Sequence, residues 1–289
     1  SEKKKGMDTG MEEKTIQELI EKGRAFLKSK AEEEESSDYL TDQEKKLPQP
    51  PLVKAKMREY PPIDLPRDFH ELGMKEDFLT VLLRRKSSRV YTQESMSLLQ
   101  LSFLLWATQG VKEIRGKSYA TLRTAPCGGA RHPFETYLLV KKVDGLTPGA
   151  YHYLPMTHQL ELLKPMENEE ALTGLMDRSL CGQTWAAKSN VVFYWSLVPY
   201  RSEWRYGIYA HRMIMADMGH VGENLYLACA ALGLGTCGIG AYDQALCDST
   251  FELDGEEEFT VYTESVGTIR VENEKAEKDF YRFVEEEGL

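Results

Sequence analysis

Ala125-Pro126-Cys127-Gly128-Gly129-Ala130-Arg131-His132-Pro133-Phe134-Glu135 leads without a break into Thr136-Tyr137-Leu138-Leu139-Val140. A proline and two adjacent glycines make a bend with little side-chain bulk, so a flat ligand could lie against its backbone. The apolar run that follows reads as a buried strand anchoring the bend. A rigid loop feeding a core strand is where binding residues collect. The same letters also spell an ordinary turn, and the functional reading draws its weight from two further stretches, Arg84 to Arg89 and Leu232 to Gly240.

Downstream, the β-prone segments Phe134 to Val143, Ala150 to Leu154 and Gln159 to Leu163 are separated by turns at Asp144-Gly145 and Pro155-Met156, which implies a meander or antiparallel sheet. Glu167 to Leu180 is predicted as a surface helix and Asn190 to Leu197 as a fully buried strand. From Ile208 to Leu232, the residues Ile214, Met218, Val221, Leu225, Ala228 and Leu232 recur at spacings of three and four, so this segment is predicted as the central core helix. It runs into Leu232-Gly233-Leu234-Gly235-Thr236-Cys237-Gly238-Ile239-Gly240. Gly233 fits a helix C-cap. The alternating glycines read as a loop passing tightly against something flat or charged, or as close packing of helix on sheet. They are not a dinucleotide fingerprint, which needs a strand before it and a helix after. A last strand, Phe259 to Arg270, precedes a charged helical tail.

Upstream, Phe78, Leu79, Leu82 and Leu83 share a helical face that leads into Arg84-Arg85-Lys86-Ser87-Ser88-Arg89. Four cations and two hydroxyls in six residues form an anion trap suited to a phosphate, because arginine forks bind phosphate oxygens bidentately and serines add hydrogen bonds. A solvated basic turn is the competing reading. The helix Ser97 to Thr108 is apolar almost all round, hence buried in the core or in a subunit interface. Residues 1–46 are rich in Lys and Glu, with one sparse apolar stripe at Ile16, Leu19, Ile20 and Phe26-Leu27; one amphipathic helix with disordered ends is predicted. Prolines at 48, 50, 51, 61, 62 and 66 deny helix and central strand, so that stretch should run extended as a strap. The chain divides into this lead-in, residues 1–68, and a main domain, residues 69–289.

Composition agrees with one large domain carrying an appendage: 289 residues with 42% apolar content can bury a sizeable core. The 36 basic against 46 acidic side chains give net charge −10, which disfavours nucleic acid and anionic membrane surfaces as partners. Cys127, Cys181, Cys229, Cys237 and Cys247 are odd in number and form no Cys-x-x-Cys pair, and the sequence given shows no apolar signal core. Reduced thiols in the cytoplasm, with no metal site, are the expectation. No run approaches the roughly 20 apolar residues of a membrane span.

The motifs "RRKSSR", "APCGGARHPFE", "WRYGIYAHRMIMADMGHVGENLYLACAALGLGTCGIG" and "SVGTIR", in this order, resemble the flavin-dependent nitroreductase superfamily, and within it the SagB-type dehydrogenase branch that oxidises azolines to azoles in peptide natural products. The resemblance covers about residues 60 to 270, and the middle two motifs are the diagnostic ones. It implies an α+β, nitroreductase-like three-layer fold, a mainly antiparallel sheet flanked by helices. It also implies bound FMN and a homodimer with two flavin sites at its interface. By the same resemblance Arg85, Lys86, Ser87 and Arg89, with Arg84 as an addition, are the phosphate and ribityl binders. Pro126, Cys127, Gly128 and Gly129 lie beside the isoalloxazine, and Gly238, Ile239 and Gly240 form the loop on its other side.

Two positions depart from that pattern. Cys127 stands where the family usually has serine, and a thiol donates a weaker hydrogen bond than a hydroxyl. At Trp204-Arg205-Tyr206-Gly207 the azoline-oxidising enzymes carry a Lys-Tyr pair; here Arg205 replaces the lysine proposed as base. A guanidinium stays protonated, so Arg205 orients an anionic group rather than removing a proton, and Tyr206 remains an acid or hydrogen-bond donor. Arg205 and Tyr206 are therefore the catalytic candidates. Three activities follow: a flavin oxidoreductase taking hydride from a small-molecule or modified-peptide substrate, an NAD(P)H-dependent nitro or quinone reductase, and a non-catalytic flavin-binding partner subunit.

Overall fold

The computed structural model describes residues 13–28, 39–270 and 274–288; part of the disorder expected within residues 1–46 falls at 1–12 and 29–38, outside the described residues. The strands, in chain order, are β1 (Ile63–Asp64), β2 (Val111–Arg115), β3 (Ala120–Arg123), β4 (Phe134–Val140), β5 (Gly149–Leu154), β6 (Gln159–Pro165), β7 (Val191–Leu197), β8 (Leu234–Ile239) and β9 (Phe259–Thr268). Seven of them make one antiparallel sheet in the order β1-β6-β5-β4-β7-β9-β8, and β2 and β3 form a separate hairpin. The helices are α1 (Glu13–Leu27), α2 (Phe78–Arg84), α3 (Leu98–Gln109), α4 (Glu169–Ser179), α5 (Tyr200–Tyr206), α6 (Ala210–Leu232), α7 (Gln244–Thr250), α8 (Glu274–Phe280) and α9 (Arg282–Glu286). No helix among the described residues is long and apolar enough to cross a membrane.

β4 and β7 are buried at every position, because each side of the sheet is covered. Leu138, Val140, Phe193 and Trp195 face a core shared with α3 and α6. Tyr137, Leu139, Val192 and Tyr194 face a second core built with α4 and the Cys247–Phe251 turn of α7. The result is three layers, helix, sheet and helix, of the α+β class. α3 starts at a capping box in which Ser97 and Gln100 exchange side-chain and backbone hydrogen bonds; Leu101, Leu104 and Leu105 lie in the core, while Leu99 and Trp106 stay half-buried. α6 ends at Gly233, in the left-handed conformation (φ 68°) that glycine adopts without strain.

Three expectations change. The alternating glycines from Leu234 onward are not a loop but the edge strand β8, paired through its length with β9. Side chains from elsewhere fill the gaps: Ser88 packs over Gly235 and Tyr262 over Gly238. The α2 face Phe78, Leu79, Leu82 and Leu83 is exposed, and Val81 is the buried residue of that helix. The β2–β3 hairpin was not anticipated, since β2 is polar and largely exposed and β3 is a four-residue strand that buries the polar Thr121 and Arg123.

The strap is woven into the sheet. β1 adds to the outer edge of β6, and Lys54 and Arg58 reach into a buried ionic chain. Arg201 Nη2 lies 2.5 Å from Glu135 Oε1, Glu135 Oε2 lies 3.2 Å from His152 Nε2, and His152 Nδ1 lies 3.2 Å from Glu161 Oε2. The Lys54 backbone N–H donates to Glu135 at 2.8 Å, and the Arg58 backbone N–H donates to Glu161. Burial alone would lower the imidazole of His152, but Glu135 and Glu161 together outweigh it and raise it above its ordinary value. Burial would likewise raise Glu135, yet Arg201 and His152 hold it well below the carboxylate range.

A buried pair with one partner removed leaves an uncompensated charge, so Arg201→Met should cost about 3–5 kcal/mol in urea unfolding. The pH dependence has a definite sign. His152 is raised in the folded state, so its contribution is full below about pH 6.5 and is lost as pH rises through the folded value. Glu135 is lowered, so its contribution is full above about pH 4.5 and is lost as pH falls. The stability advantage of wild type over His152→Gln should therefore be larger at about pH 6 than at about pH 8.

Candidate functional site

Beyond α2 the basic hexamer runs extended along β8. Ser87 bridges Thr236 in parallel register, and the Ser88 N–H donates to the Thr236 carbonyl at 2.8 Å. Tyr226 of α6 closes the corner. Its hydroxyl shares a 3.0 Å hydrogen bond with Ser87 Oγ and accepts the Gly238 N–H at 2.8 Å, while the Arg85 guanidinium lies 5.4 Å over its ring. A Cβ on Gly238 would collide with the Tyr262 hydroxyl, so this position has to be bare. Ile239 is buried and Gly240 is open. Beneath Gly238, its cross-strand partner Glu264 is fully buried. Burial raises its carboxyl well above the ordinary value; Thr236 Oγ1 donates to Oε1 at 2.7 Å, and Oε2 has no partner. Lys86 and Ser88 line, with Arg84, Tyr226 and Arg270, a hollow of about 560 Å³. Arg84 pairs with Glu76 at 2.6 Å.

Arg89 is engaged by the tail. Its N–H and that of Val90 both donate to Glu277 Oε1 at 2.7 Å. The Arg89 guanidinium donates to the Tyr281 hydroxyl and lies about 5.5 Å from the rings of Trp185, Phe280 and Tyr281. An anion and flat rings thus gather at Arg89.

The opening bend sits at the other end of α6. Asp217 accepts the Gly128 N–H at 3.1 Å on each carboxylate oxygen, and the Cys127 thiol donates to it at 3.2 Å. Cys127 Sγ in turn accepts the His132 N–H at 3.1 Å. The cysteine is therefore spent on holding the bend. Burial, followed by the charge of Asp217, pushes its thiol up to about 12. Gly129 has φ 56°, and a Cβ there would strike the Tyr206 hydroxyl and the Arg205 side chain, so the bend and the catalytic candidates are in direct contact. Arg205 Nη1 donates to the Tyr119 hydroxyl, and its guanidinium lies 5.5 Å over the Tyr206 ring.

The structure thus groups the candidates as two half-sites in one chain: Arg85, Ser87 and Gly238 around Tyr226, and Cys127, Gly128, Gly129, Arg205 and Tyr206 around Asp217, while Ile239 packs into the second core across the sheet. Nine residues of helix, about 13.5 Å, separate the two anchors. Tyr226, Asp217, Tyr119, Tyr262 and Glu277 escaped the sequence reading. One of them carried a signal, since Asp217 sits beside Met218 in an otherwise apolar helical stripe, where a carboxylate needs a partner.

Among known proteins, the nitroreductase family model matches residues 82–268. A Methanocaldococcus jannaschii protein named as a nitroreductase is 33% identical over 182 residues, which is 62% of this chain and 84% of that protein. The trifolitoxin-processing protein TfxB of Rhizobium leguminosarum bv. trifolii is 31% identical over 143 residues, 47% of this chain; the match spans 38% of that relative's own length. The solved Escherichia coli microcin synthetase complex McbBCD, with truncated pro-MccB17 bound, contains a chain of the same fold at TM-score 0.56 and 17% identity, covering 90% of this chain and 95% of that one.

The thiols make a direct test of the bend. At about pH 8 roughly one part in 10⁴ of a thiol with the value of Cys127 is ionised. Iodoacetamide under native conditions should label the exposed Cys181 and leave Cys127 with the buried Cys229, Cys237 and Cys247 unmodified. Peptide mapping reads the outcome, and Asp217→Ala should make Cys127 reactive.

Proposed function

The chain belongs to the nitroreductase family, and from that premise we propose that it is an FMN-dependent oxidoreductase of the SagB-type branch, moving hydride between flavin and an organic substrate. The observation that carries this reading is the convergence of Arg85, Ser87 and the bare Gly238 on Tyr226. The residues fit FMN in their donor set: Arg85 and Lys86 place two cations beside the Ser87 hydroxyl, and the backbone N–H groups of Arg89 and Val90 already bind a carboxylate, Glu277, as a stand-in anion. Arg85, Lys86, Ser87 and Arg89 would hold its phosphate and ribityl, and Gly238, Ile239 and Gly240 would flank the ring, with Pro126, Cys127, Gly128 and Gly129 on the other side. Bound there, the flavin supplies two-electron hydride chemistry.

The chain's own residues supply position. Arg205 donates to Tyr119 through one nitrogen, and its remaining N–H groups orient an anionic group of the substrate. Tyr206 places its hydroxyl over Gly129 as a hydrogen-bond donor. A homodimer suits the half-sites and the exposed α6 face of Arg212, Met215, Gly219 and Glu223. The likeness to a trifolitoxin-processing protein supports a modified peptide as substrate, and the free cysteines suit the cytoplasm. An NAD(P)H-dependent nitro or quinone reductase is the second reading, favoured by Arg205 standing in place of lysine.

Titrating the purified protein with FMN should yield a complex with the two visible flavin bands. Arg85→Ala and Arg89→Ala each remove a charge-assisted contact of about 1.5–3 kcal/mol, so affinity should fall roughly one to two decades in each. An unchanged affinity in the double variant would sink the phosphate assignment. With NADPH as donor and a carboxylated benzoquinone as probe acceptor, Arg205→Lys should raise KM for that acidic quinone more than it lowers kcat.

A further inference from the structure

The β2–β3 hairpin brings Tyr119 to the Arg205 end of the site. Arg131 Nη2 donates to the Tyr119 carbonyl at 2.8 Å and Arg131 Nε to the Gly129 carbonyl at 3.0 Å, so one side chain ties the hairpin to the bend. The same guanidinium stacks 4.8 Å from the Tyr119 ring centroid. From α5, Arg205 Nη1 donates to the Tyr119 hydroxyl oxygen; from the lead-in just before the strap, Gln43 Nε2 donates to it at 3.2 Å. Gln43 is itself fixed, its N–H donating to the Trp204 carbonyl at 2.8 Å, while Trp204 Nε1 donates to the Leu47 carbonyl at 3.1 Å.

A phenol oxygen that accepts two N–H donors has given up its lone pairs and kept its proton. Neither donor nitrogen accepts a hydrogen bond, so the Tyr119 O–H is directed away from both, and the side chain is 37% exposed. We propose that Tyr119 is a further catalytic residue of this site, the group that hands a proton to the substrate beside Arg205 and Tyr206. This rests on the oxidoreductase reading above. The Tyr119 O–H bond breaks, the proton joins a basic oxygen or nitrogen of the substrate, and the electron pair stays on the phenolate oxygen. Water then returns a proton to the phenolate, so no electrons move in the step. The groups facing the phenol are Arg205 from α5, Arg131 from the bend and the neutral Gln43 from the lead-in. Burial alone would raise the phenol, but Gln43, Arg205 and Arg131 together outweigh it and bring it below the ordinary value, which makes the proton easier to give.

Ultraviolet titration of tyrosinate tests this without flavin. Among the 15 tyrosines, wild type should show one ionising first, below about 10. Tyr119→Phe should abolish that step, and Gln43→Leu and Arg205→Gln should move it upward. With NADPH and p-benzoquinone, Tyr119→Phe should keep its FMN content while turnover falls by roughly 10²–10⁴-fold and the alkaline limb of the pH profile disappears. A first ionisation that survives in Tyr119→Phe overturns the proposal. So does FMN-loaded Tyr119→Phe with full turnover and an unchanged profile, which leaves the oxidoreductase reading standing. Wild type that binds no FMN overturns that reading and the proposal with it, while the tyrosinate titration still reports whether the phenol is perturbed.

Discussion

Glu135 has no access to water, and the way its charge is answered decides where the site lies. It is the last residue of the opening motif, at the start of β4, and a buried carboxylate is tolerated only with partners close at hand. Arg201 answers it from α5 and His152 from β5, while the Lys54 N–H answers it from the strap. Arg201 and Arg205 stand four apart on α5 and so share a face. The ion pair that satisfies Glu135 therefore also sets the height of Arg205 above the Cys127–Gly129 bend. Core and site are joined through one charge.

The same economy appears along α6. Its inward side is apolar and fills the core, while Asp217 and Tyr226 hold backbone groups of two different segments, Gly128 near one end and Gly238 near the other. Both contacts satisfy N–H groups at partly buried positions, where an unmade hydrogen bond costs about 1–3 kcal/mol. The helix is thus the ruler of the site. Its rigidity, rather than any loop, fixes the spacing between the half-sites.

Legibility followed the physics of each element. α6 and β7 could be read because periodicity and unbroken apolar runs are written in single residues. The sheet's antiparallel, layered character followed from short strands separated by turn residues. β8 was misread because Gly235 and Gly238 weaken a strand locally, and the compensation comes from Ser88 and Tyr262, far away in sequence. The β2–β3 hairpin was missed because β2 exposes Lys112, Glu113 and Arg115, and short β3 buries the polar Thr121 and Arg123 rather than an apolar run. Arg85, Ser87 and Gly238 were found as types at spacings, but Tyr226, which joins them, is one tyrosine among fifteen. Nothing local marks it.

The anion site at Arg89 shows how little such a contact need be tuned to exist. Two successive N–H groups aimed at one oxygen form a small positive nest, and any carboxylate brought there by the chain gains charge-assisted bonds. Glu277 meets the geometry with one oxygen, while its other oxygen is buried without a partner, which costs about 1–3 kcal/mol and offsets much of the gain. An anion with more oxygens and less enclosure would satisfy the same donors at lower cost. The Arg89 guanidinium meets the Tyr281 hydroxyl and ring faces. A group richer in oxygens than the one the tail supplies would satisfy these donors more fully, and that is the physical argument behind the proposed phosphate assignment.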